Sequence, residues 1–234
     1  MEGIKISIQG NIINIQENIE NALKRSGREG EKVEIIAVTK TIDIHRIKEA
    51  MDCGISNIGE NRVQELETKY NLIGDNINYH MIGHLQTNKV RNIIGKTKLV
   101  HSLDRISLAQ ELDKRSKNNN ITTDVLIQVN VAEEETKFGL RVDEVLYFIE
   151  EILDLKNIKI RGLMTIAPYT TDEVFLRKVF RTLFNLKEDI ISRNYENLSM
   201  DYLSAGMTND YELAIEEGSN LVRVGSGIFG KRNY

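Results

Sequence analysis

The amino-acid sequence predicts an α/β fold, a single (β/α)8 TIM-like barrel with an extra N-terminal helix. Strand-like and helix-like segments alternate along the chain, and eight strand candidates can be counted. The length of 234 residues is typical of a barrel that forms one domain. A doubly wound open sheet is the alternative, but the sequence has no early G-x-G-x-x-G fingerprint. We therefore expect one closed barrel over residues 1–234.

The first 30 residues predict an amphipathic helix. Apolar side chains recur at helical spacing and form one face, namely Ile8, Ile12, Ile15, Ile19 and Leu23. Such a face must pack on a larger body. We expect the helix to cap the bottom of the barrel or to mediate a dimer, and we favour a monomer.

The strand candidates follow in order along the chain. The short β-branched run Ile35–Val38 is typical of a buried parallel strand. The eight candidates are EIIAVTK, SNIGEN, YHMIGH, KLVHSL, DVLIQVNVA, IKIRGLMTIA, MDYLSAGM and LVRVGSG. Helical patterns between them include DIHRIKEAMDCG, SLAQELDKRSKNNN, VDEVLYFIEEILDL and EVFLRKVFRTLFNLKEDIISR.

Composition restricts the class of protein. A hydrophobic content of 41% with 28% charged residues is ordinary for a globular protein. The net charge of −4 disfavours a nucleic-acid partner, which would require a basic surface. One cysteine, Cys53, excludes an internal disulfide and suits a reducing compartment. The sequence contains neither a signal peptide nor an apolar run long enough for a membrane span. We expect a soluble cytoplasmic protein without a membrane partner.

Lys40 ends the first strand candidate, at the position where ligand-binding groups collect in such a barrel. A surface lysine at a strand end is the ordinary explanation. A lysine at a barrel mouth can also attack a carbonyl ligand when burial disfavours its ammonium form. The ligand would then be a sugar in an aldolase-like enzyme or pyridoxal 5'-phosphate (PLP).

Arg223 helps to choose between these ligands. Strand alternation places it on one face with Leu221 and Gly225. A charge within a barrel strand is costly unless a partner or a ligand meets it. A structural ion pair would satisfy the guanidinium, and so would the pyridine nitrogen of PLP.

The loops after strands seven and eight predict a phosphate site. Gly225 and Gly227 allow backbone N–H groups to approach a ligand, and Ser226, Ser204 and Thr208 supply hydroxyls. We expect a short helix from Ile228 and a helix capped by Thr208 or Asn209. Tight turns and an N-cap would explain these residues one by one. Their joint occurrence in the two loops that bind phosphate in many barrels favours a phosphate site.

Two histidines straddle the end of the third strand candidate. No cysteine or acidic residue beside His80 and His84 completes a zinc motif, so we expect no metal site. His80 is predicted to be a hydrogen-bonded structural residue under the barrel. For His84 a contact with the ligand and a structural role are equally supported.

Six motifs in order resemble the YggS/PROSC family of PLP-binding homeostasis proteins, which is related in fold to the N-terminal barrel of alanine racemase. They are AVTK, IGENRVQE, HMIGHLQTNK, RGLMTIAP, LSAGMTND and RVGSGIFGKR. The resemblance implies that Lys40 carries PLP as a covalent aldimine, that Asn61 lies near the ring oxygen, and that Arg223 faces the pyridine nitrogen. It places Ser204, Thr208, Gly225 and Ser226 in the phosphate-binding segments, and we add His84 to the expected cofactor-binding residues.

Three positions depart from the usual family pattern. Ala205 replaces a methionine, Ser226-Gly227 replaces threonine-alanine, and Thr208 replaces a serine. Each departure keeps a hydroxyl or a small residue, so we still expect phosphate binding.

The expected function is storage, buffering or delivery of PLP, with apo-PLP enzymes as possible acceptors and without substantial turnover. A PLP-dependent amino-acid racemase is the alternative, and a lysine aldolase acting on a phosphosugar is a third hypothesis. The alanine racemase resemblance implies that a separate β domain supplies one acid/base group, and the sequence ends at Tyr234 without such a domain. An arginine at the ring nitrogen also disfavours a protonated pyridine, the better electron sink. We therefore expect no catalytic residues.

Overall fold

The computed structural model describes residues 7–196 and 198–230, and eight parallel strands within them close into a barrel. The strands follow one another in chain order, and β8 pairs with β1. They are β1 Glu34–Val38, β2 Asn57–Glu60, β3 Asn78–Met81, β4 Leu99–Leu103, β5 Thr123–Gln128, β6 Ile158–Met164, β7 Leu198–Met207 and β8 Leu221–Val224. Each overlaps one predicted strand, so the predicted barrel is confirmed.

The helices are α1 Ile8–Arg25, α2 Ile44–Asp52, α3 Val63–Ile73, α4 Val90–Ile93, α5 Ile106–Asn118, α6 Val145–Ile152, α7 Glu173–Ser192, α8 Tyr211–Glu216 and α9 Ser226–Phe229. Helix α1 precedes the first strand, α9 follows the last, and the other helices lie between strands in the sequence. Among the helices of the two described ranges, none is both long and apolar enough to cross a membrane.

The core has two layers because strand residues alternate between the two faces of the barrel wall. The inward-facing cluster consists of Ile36, Leu99, Leu126, Met164 and Leu221. The larger cluster fills the space between the wall and the helices. Strands buried on both faces need continuous apolar runs, and this need explains the sequence pattern from which they were predicted.

Helix α1 confirms the amphipathic pattern over its described length. Its buried face includes the five predicted residues, and the Ser7 hydroxyl caps the helix by accepting from the Gly10 N–H at 3.1 Å. Residues 1–6 of the predicted segment lie outside the described residues. The expectation that the helix caps the bottom of the barrel is wrong. It packs on α8, α9 and α2, because α8 and α9 are short and leave an apolar flank that α1 covers.

Candidate functional site

A cavity of about 400 Å³ opens at the C-terminal ends of β6, β7, β8 and β1. It is lined by Val38, Ala167, Pro168, Tyr169, Thr170, Met207, Thr208, Asn209, Asp210, Arg223, Gly225 and Ser226. Four of the predicted site residues line this cavity. They come from two parts of the chain, one at the end of β7 and one at the end of β8. The four residues are Thr208, Arg223, Gly225 and Ser226.

The loops after β7 and β8 meet at the Thr208 hydroxyl. Its oxygen accepts hydrogen bonds from the backbone N–H groups of Gly225 and Gly227, each at 3.3 Å, and lies 3.3 Å from the Ser226 hydroxyl. These bonds are long, so the donors are only weakly held. Converging backbone N–H groups and hydroxyls suit an oxygen of an anionic group such as phosphate.

Two local predictions in these loops are wrong by a few residues. Helix α9 begins at Ser226, two residues before Ile228. Helix α8 begins at Tyr211 with Asp210 at its N-cap position. Thr208 does not cap α8 because its hydroxyl joins the two loops instead.

Arg223 brings a buried positive charge to the cavity wall. Its side chain donates to the Ser204 hydroxyl oxygen at 2.6 Å and to the Thr165 carbonyl oxygen at 2.7 Å. Burial lowers the pKa of Arg223 to about 10, against a smaller opposing effect of Asp210, so the guanidinium remains charged at neutral pH. Over the described ranges no carboxylate forms an ion pair with it. A buried cation with only neutral partners is costly unless a ligand also meets it.

Asp210 is a cavity residue that the sequence reasoning missed. It is mostly buried, and its carboxylate accepts from the Met207 N–H at 2.5 Å. Burial raises the pKa of Asp210, while the Met207 hydrogen bond and the Arg223 charge act in the opposite direction. Asp210 could have been identified from the sequence, because it is the last residue of the LSAGMTND motif.

Ser204 lies below the cavity and is fully buried within the barrel. Its hydroxyl contacts Arg223 and also lies 3.1 Å from Nδ1 of His101. From the sequence, Ser204 is predicted to lie in a phosphate-binding segment. In the structure its hydroxyl oxygen accepts from Arg223 inside the barrel, and we interpret Ser204 as a partner of Arg223 instead of a phosphate ligand.

Lys40 lies just beyond β1, on an extension of the strand. The Thr39 N–H donates to the Gly59 carbonyl oxygen at 3.1 Å, so pairing continues past Val38. Ile36 faces the barrel interior and Val38 lines the cavity, and the same alternation places Lys40 on the inward face. The side chain is half-buried, and its amine makes no hydrogen bond or ion pair with any part of the chain that the structure describes.

The residues on both sides of Lys40 are anchored. The Thr39 hydroxyl donates to Glu60 Oε1 at 2.5 Å, and Lys69 donates to the same oxygen and to the Thr39 carbonyl oxygen at 2.6 Å. Thr41 adopts a left-handed conformation with φ +63°, and its N–H donates to Glu65 at 2.9 Å. Burial raises the pKa of Glu60 despite the Lys69 charge. This Glu60–Lys69 pair was not predicted from the sequence. Through its bonds to Thr39 the pair stabilises the turn that contains Lys40.

Asn61 and His84 do not line the cavity. Asn61 is exposed after β2, and the backbone of Gly83 lies so close to it that a Cβ at position 83 would collide with the Asn61 backbone. His84 is half-buried and stacks on Phe138 with ring centroids 3.8 Å apart. Its Nδ1 lies 3.6 Å from an Asp104 carboxylate oxygen, which is too far for a hydrogen bond. The cofactor contacts of both residues stay predictions.

His80 is buried and hydrogen-bonded, as predicted, but it lies inside the barrel instead of beneath it. Across residues 7–196 and 198–230, no group of three or more His, Cys, Asp or Glu side chains is arranged to hold a metal ion.

Comparison with known proteins places the chain in a family. Residues 11–233 match the family model described as the alanine racemase N-terminal domain. A pyridoxal phosphate homeostasis protein from Aquifex aeolicus (strain VF5) is 44% identical over 221 residues, which cover 94% of this chain and 96% of that protein.

Solved structures show the same fold. An unknown protein from Bifidobacterium adolescentis has a TM-score of 0.91 at 34% identity, covering 95% of this chain and 94% of that one. PipY of Synechococcus elongatus PCC7942, solved with PLP bound, has a TM-score of 0.83 at 26% identity, covering 96% of this chain and 100% of that one. The chain therefore belongs to the family of the pyridoxal phosphate homeostasis proteins and has the alanine racemase N-terminal domain.

Proposed function

We propose that this protein binds PLP at the mouth of the barrel and acts in PLP homeostasis, by storage, buffering or delivery, without substantial turnover. The observation that carries the proposal is Arg223, a buried guanidinium on the cavity wall with only neutral partners among the described residues. The names of the relatives and the PLP-bound PipY structure support the same ligand.

The residues around the cavity fit the three chemical parts of PLP. Thr208, Ser226 and the N–H groups of Gly225 and Gly227 would hold the phosphate. Arg223 would donate to the ring nitrogen. Lys40 would supply the amine for a covalent imine with the aldehyde. Bound PLP would supply that aldehyde and an electron-accepting ring.

The charge of Arg223 is also the reason to propose binding without substantial turnover. Its pKa of about 10 keeps it a hydrogen-bond donor at neutral pH. A ring nitrogen that accepts from a cation stays unprotonated, and an unprotonated ring withdraws electrons poorly. We propose apo-PLP enzymes as the acceptors of the stored cofactor.

The covalent assignment is tested by borohydride reduction of the PLP-loaded protein, followed by peptide mapping. We expect the pyridoxyl label on the peptide that contains Lys40, and we expect the aldimine absorbance to be lost in Lys40→Ala. Lys48→Ala, at an exposed position of α2, is the matched control and should keep both. A label found only on other lysines would contradict the assignment.

A further inference from the structure

Four buried polar side chains form a row through the barrel interior, and we name this row the interior chain: Asn57, His80, His101 and Ser204. His80 Nε2 lies 3.2 Å from Asn57 Oδ1, and His80 Nδ1 lies 3.0 Å from His101 Nε2. His101 Nδ1 lies 3.1 Å from the Ser204 hydroxyl, which accepts from Arg223. The interior chain thus connects the lower end of β2 with the guanidinium at the cavity.

The lower end of the interior chain determines the direction of its hydrogen bonds. The amide nitrogen of Asn57 lies 3.3 Å from a Glu34 carboxylate oxygen, which can only accept. The Asn57 oxygen therefore faces His80, and it also accepts from the Asn78 amide at 3.1 Å. His80 must carry its hydrogen on Nε2 and donate to Asn57.

The upper end is compatible with this direction. Arg223 can only donate, so the Ser204 oxygen accepts from it. Burial lowers the pKa of His80 to about 3 and also lowers that of His101, so both rings are neutral, with one donor and one acceptor nitrogen each. His101 then donates through Nε2 to His80 Nδ1. His101 Nδ1 is then the acceptor of the Ser204 hydrogen. The lower end therefore sets the direction of the bonds from Asn57 to Ser204, and the donation from Arg223 to the Ser204 oxygen is compatible with it.

We propose that the interior chain orients Arg223 toward the cavity, so that His101 and His80 are positioning residues that act through Ser204. The inference rests on the proposed function, because the ring nitrogen of PLP is the acceptor that the oriented guanidinium would meet. Thr165 and Ser204 use two of the guanidinium nitrogens, and this pair of contacts leaves the side chain little rotational freedom. Loss of His101 would leave the Ser204 hydrogen and His80 Nδ1 without partners inside a closed barrel, where unmade hydrogen bonds are costly.

The direction of the hydrogen bonds in the interior chain and their effect on Arg223 can be measured without PLP. In ¹⁵N NMR spectra of the unliganded protein at neutral pH, both rings should be neutral with hydrogen on Nε2. The Arg223 guanidinium signals should be sharp in the unaltered protein and broadened in His101→Leu. Hydrogen on Nδ1 of His101, or unchanged Arg223 signals in the variant, would overturn the proposal.

PLP binding supplies the second test. His101→Leu should weaken PLP binding about tenfold, equivalent to about 1.4 kcal/mol, and shift the absorption band of the bound cofactor. His101→Gln should stay within about threefold, since its amide offers one donor and one acceptor along the same line.

The matched control separates orientation from general loss of stability. Ile149→Ala removes a fully buried side chain from α6, outside the barrel interior, and should lower thermal stability while leaving PLP affinity and absorbance unchanged. The proposal fails if His101→Leu binds and absorbs like the unaltered protein, or if Ile149→Ala produces the same changes. Absence of PLP binding by the unaltered protein would instead refute the proposed function, and the NMR signals of Arg223 would still decide the proposal.

Discussion

At the scale of single residues, the polar side chains on the inward face of the barrel wall are the most informative about function. Arg223 attracted attention in the sequence because a charged residue at an alternating position of a buried strand needs a partner. His101 is a second polar residue on a buried strand, in KLVHSL, and its partner Ser204 lies 103 residues away. Spacing along one strand cannot reveal such a pairing, so the interior chain could not be predicted.

The two buried histidines predict a loss of stability in acid. The pKa of His80 is about 3 in the folded protein and about 6.5 when unfolded, so between these values the unfolded state binds the additional proton. The free energy of unfolding must then fall as the pH falls from 6.5 toward 3, by up to about 1.4 kcal/mol per pH unit for His80. His101 acts in the same direction, and Glu60, with its raised pKa, acts in the opposite one.

Urea unfolding at pH 4, 5, 6 and 7 can isolate the His80 contribution. His80→Gln should reduce the slope of unfolding free energy against pH by about 1 kcal/mol per unit, because one titrating group is removed. Ile149→Ala, which removes a buried side chain but no titratable group, is the control and should lower stability without changing the slope. An equal slope in His80→Gln and the unaltered protein would contradict the prediction.

At the scale of elements, α3 shows how a buried charge can interrupt the apolar face of a helix. Its inward residues are Val63, Leu66, Lys69 and Ile73, so a lysine interrupts the apolar face. The interruption is possible because Glu60 at the end of β2 pairs with Lys69. The alternation of strands and helices predicts a helix after β2, but the apolar spacing within α3 does not indicate its buried lysine.

Removal of Lys69 should be strongly destabilising. Lys69→Met leaves the Glu60 carboxylate buried without its cation, and we expect the free energy of unfolding to fall by about 3 kcal/mol. The double variant Glu60→Gln, Lys69→Met should be more stable than the single one, since it removes both charges. Urea unfolding measures both effects.

The control for this pair is Gln64→Met, at an exposed position of the same helix, which should change stability by less than about 0.5 kcal/mol. If the double variant were no more stable than Lys69→Met, the charge of Glu60 would not be the cause. Packing of the lysine stem would then be the better explanation.

At the scale of the whole molecule, ion pairs join α1, α7 and α8 on the flank of the barrel. Arg25 of α1 contacts Glu212 and Glu216 of α8, and Arg177 of α7 contacts Glu216 as well. Helix α1 also donates from Asn11 to the Ile228 carbonyl oxygen of α9 at 2.8 Å. The N-terminal helix therefore supports the short helices that follow the two proposed phosphate loops.

The PLP-loaded protein should release PLP and should not convert amino acids. We expect the PLP-loaded protein to activate an apo-PLP enzyme added to it, and to show no significant racemisation, transamination or decarboxylation. The donor Arg223 disfavours electron withdrawal by the ring, and all three reactions depend on that withdrawal. Enzyme assays of the acceptor and chiral chromatography of amino acids measure the two outcomes.

One result would change the class of this protein. Robust turnover of any single amino acid that is lost in Lys40→Ala would make it a PLP enzyme, and the racemase-like alternative would become the better account. The Lys48→Ala variant again serves as the control for unspecific damage.

The eight strands, the apolar face of α1 and a cluster at the barrel mouth could all be predicted from the sequence. The cluster consists of Thr208, Arg223, Gly225 and Ser226. Each of these predictions depends on a local period or on the known meeting of strand ends in a barrel. Three contacts could not be predicted: Ser204 with Arg223, Lys69 with Glu60, and α1 with the flank of the barrel. Local sequence patterns do not contain them, because their partners come together only when the barrel closes.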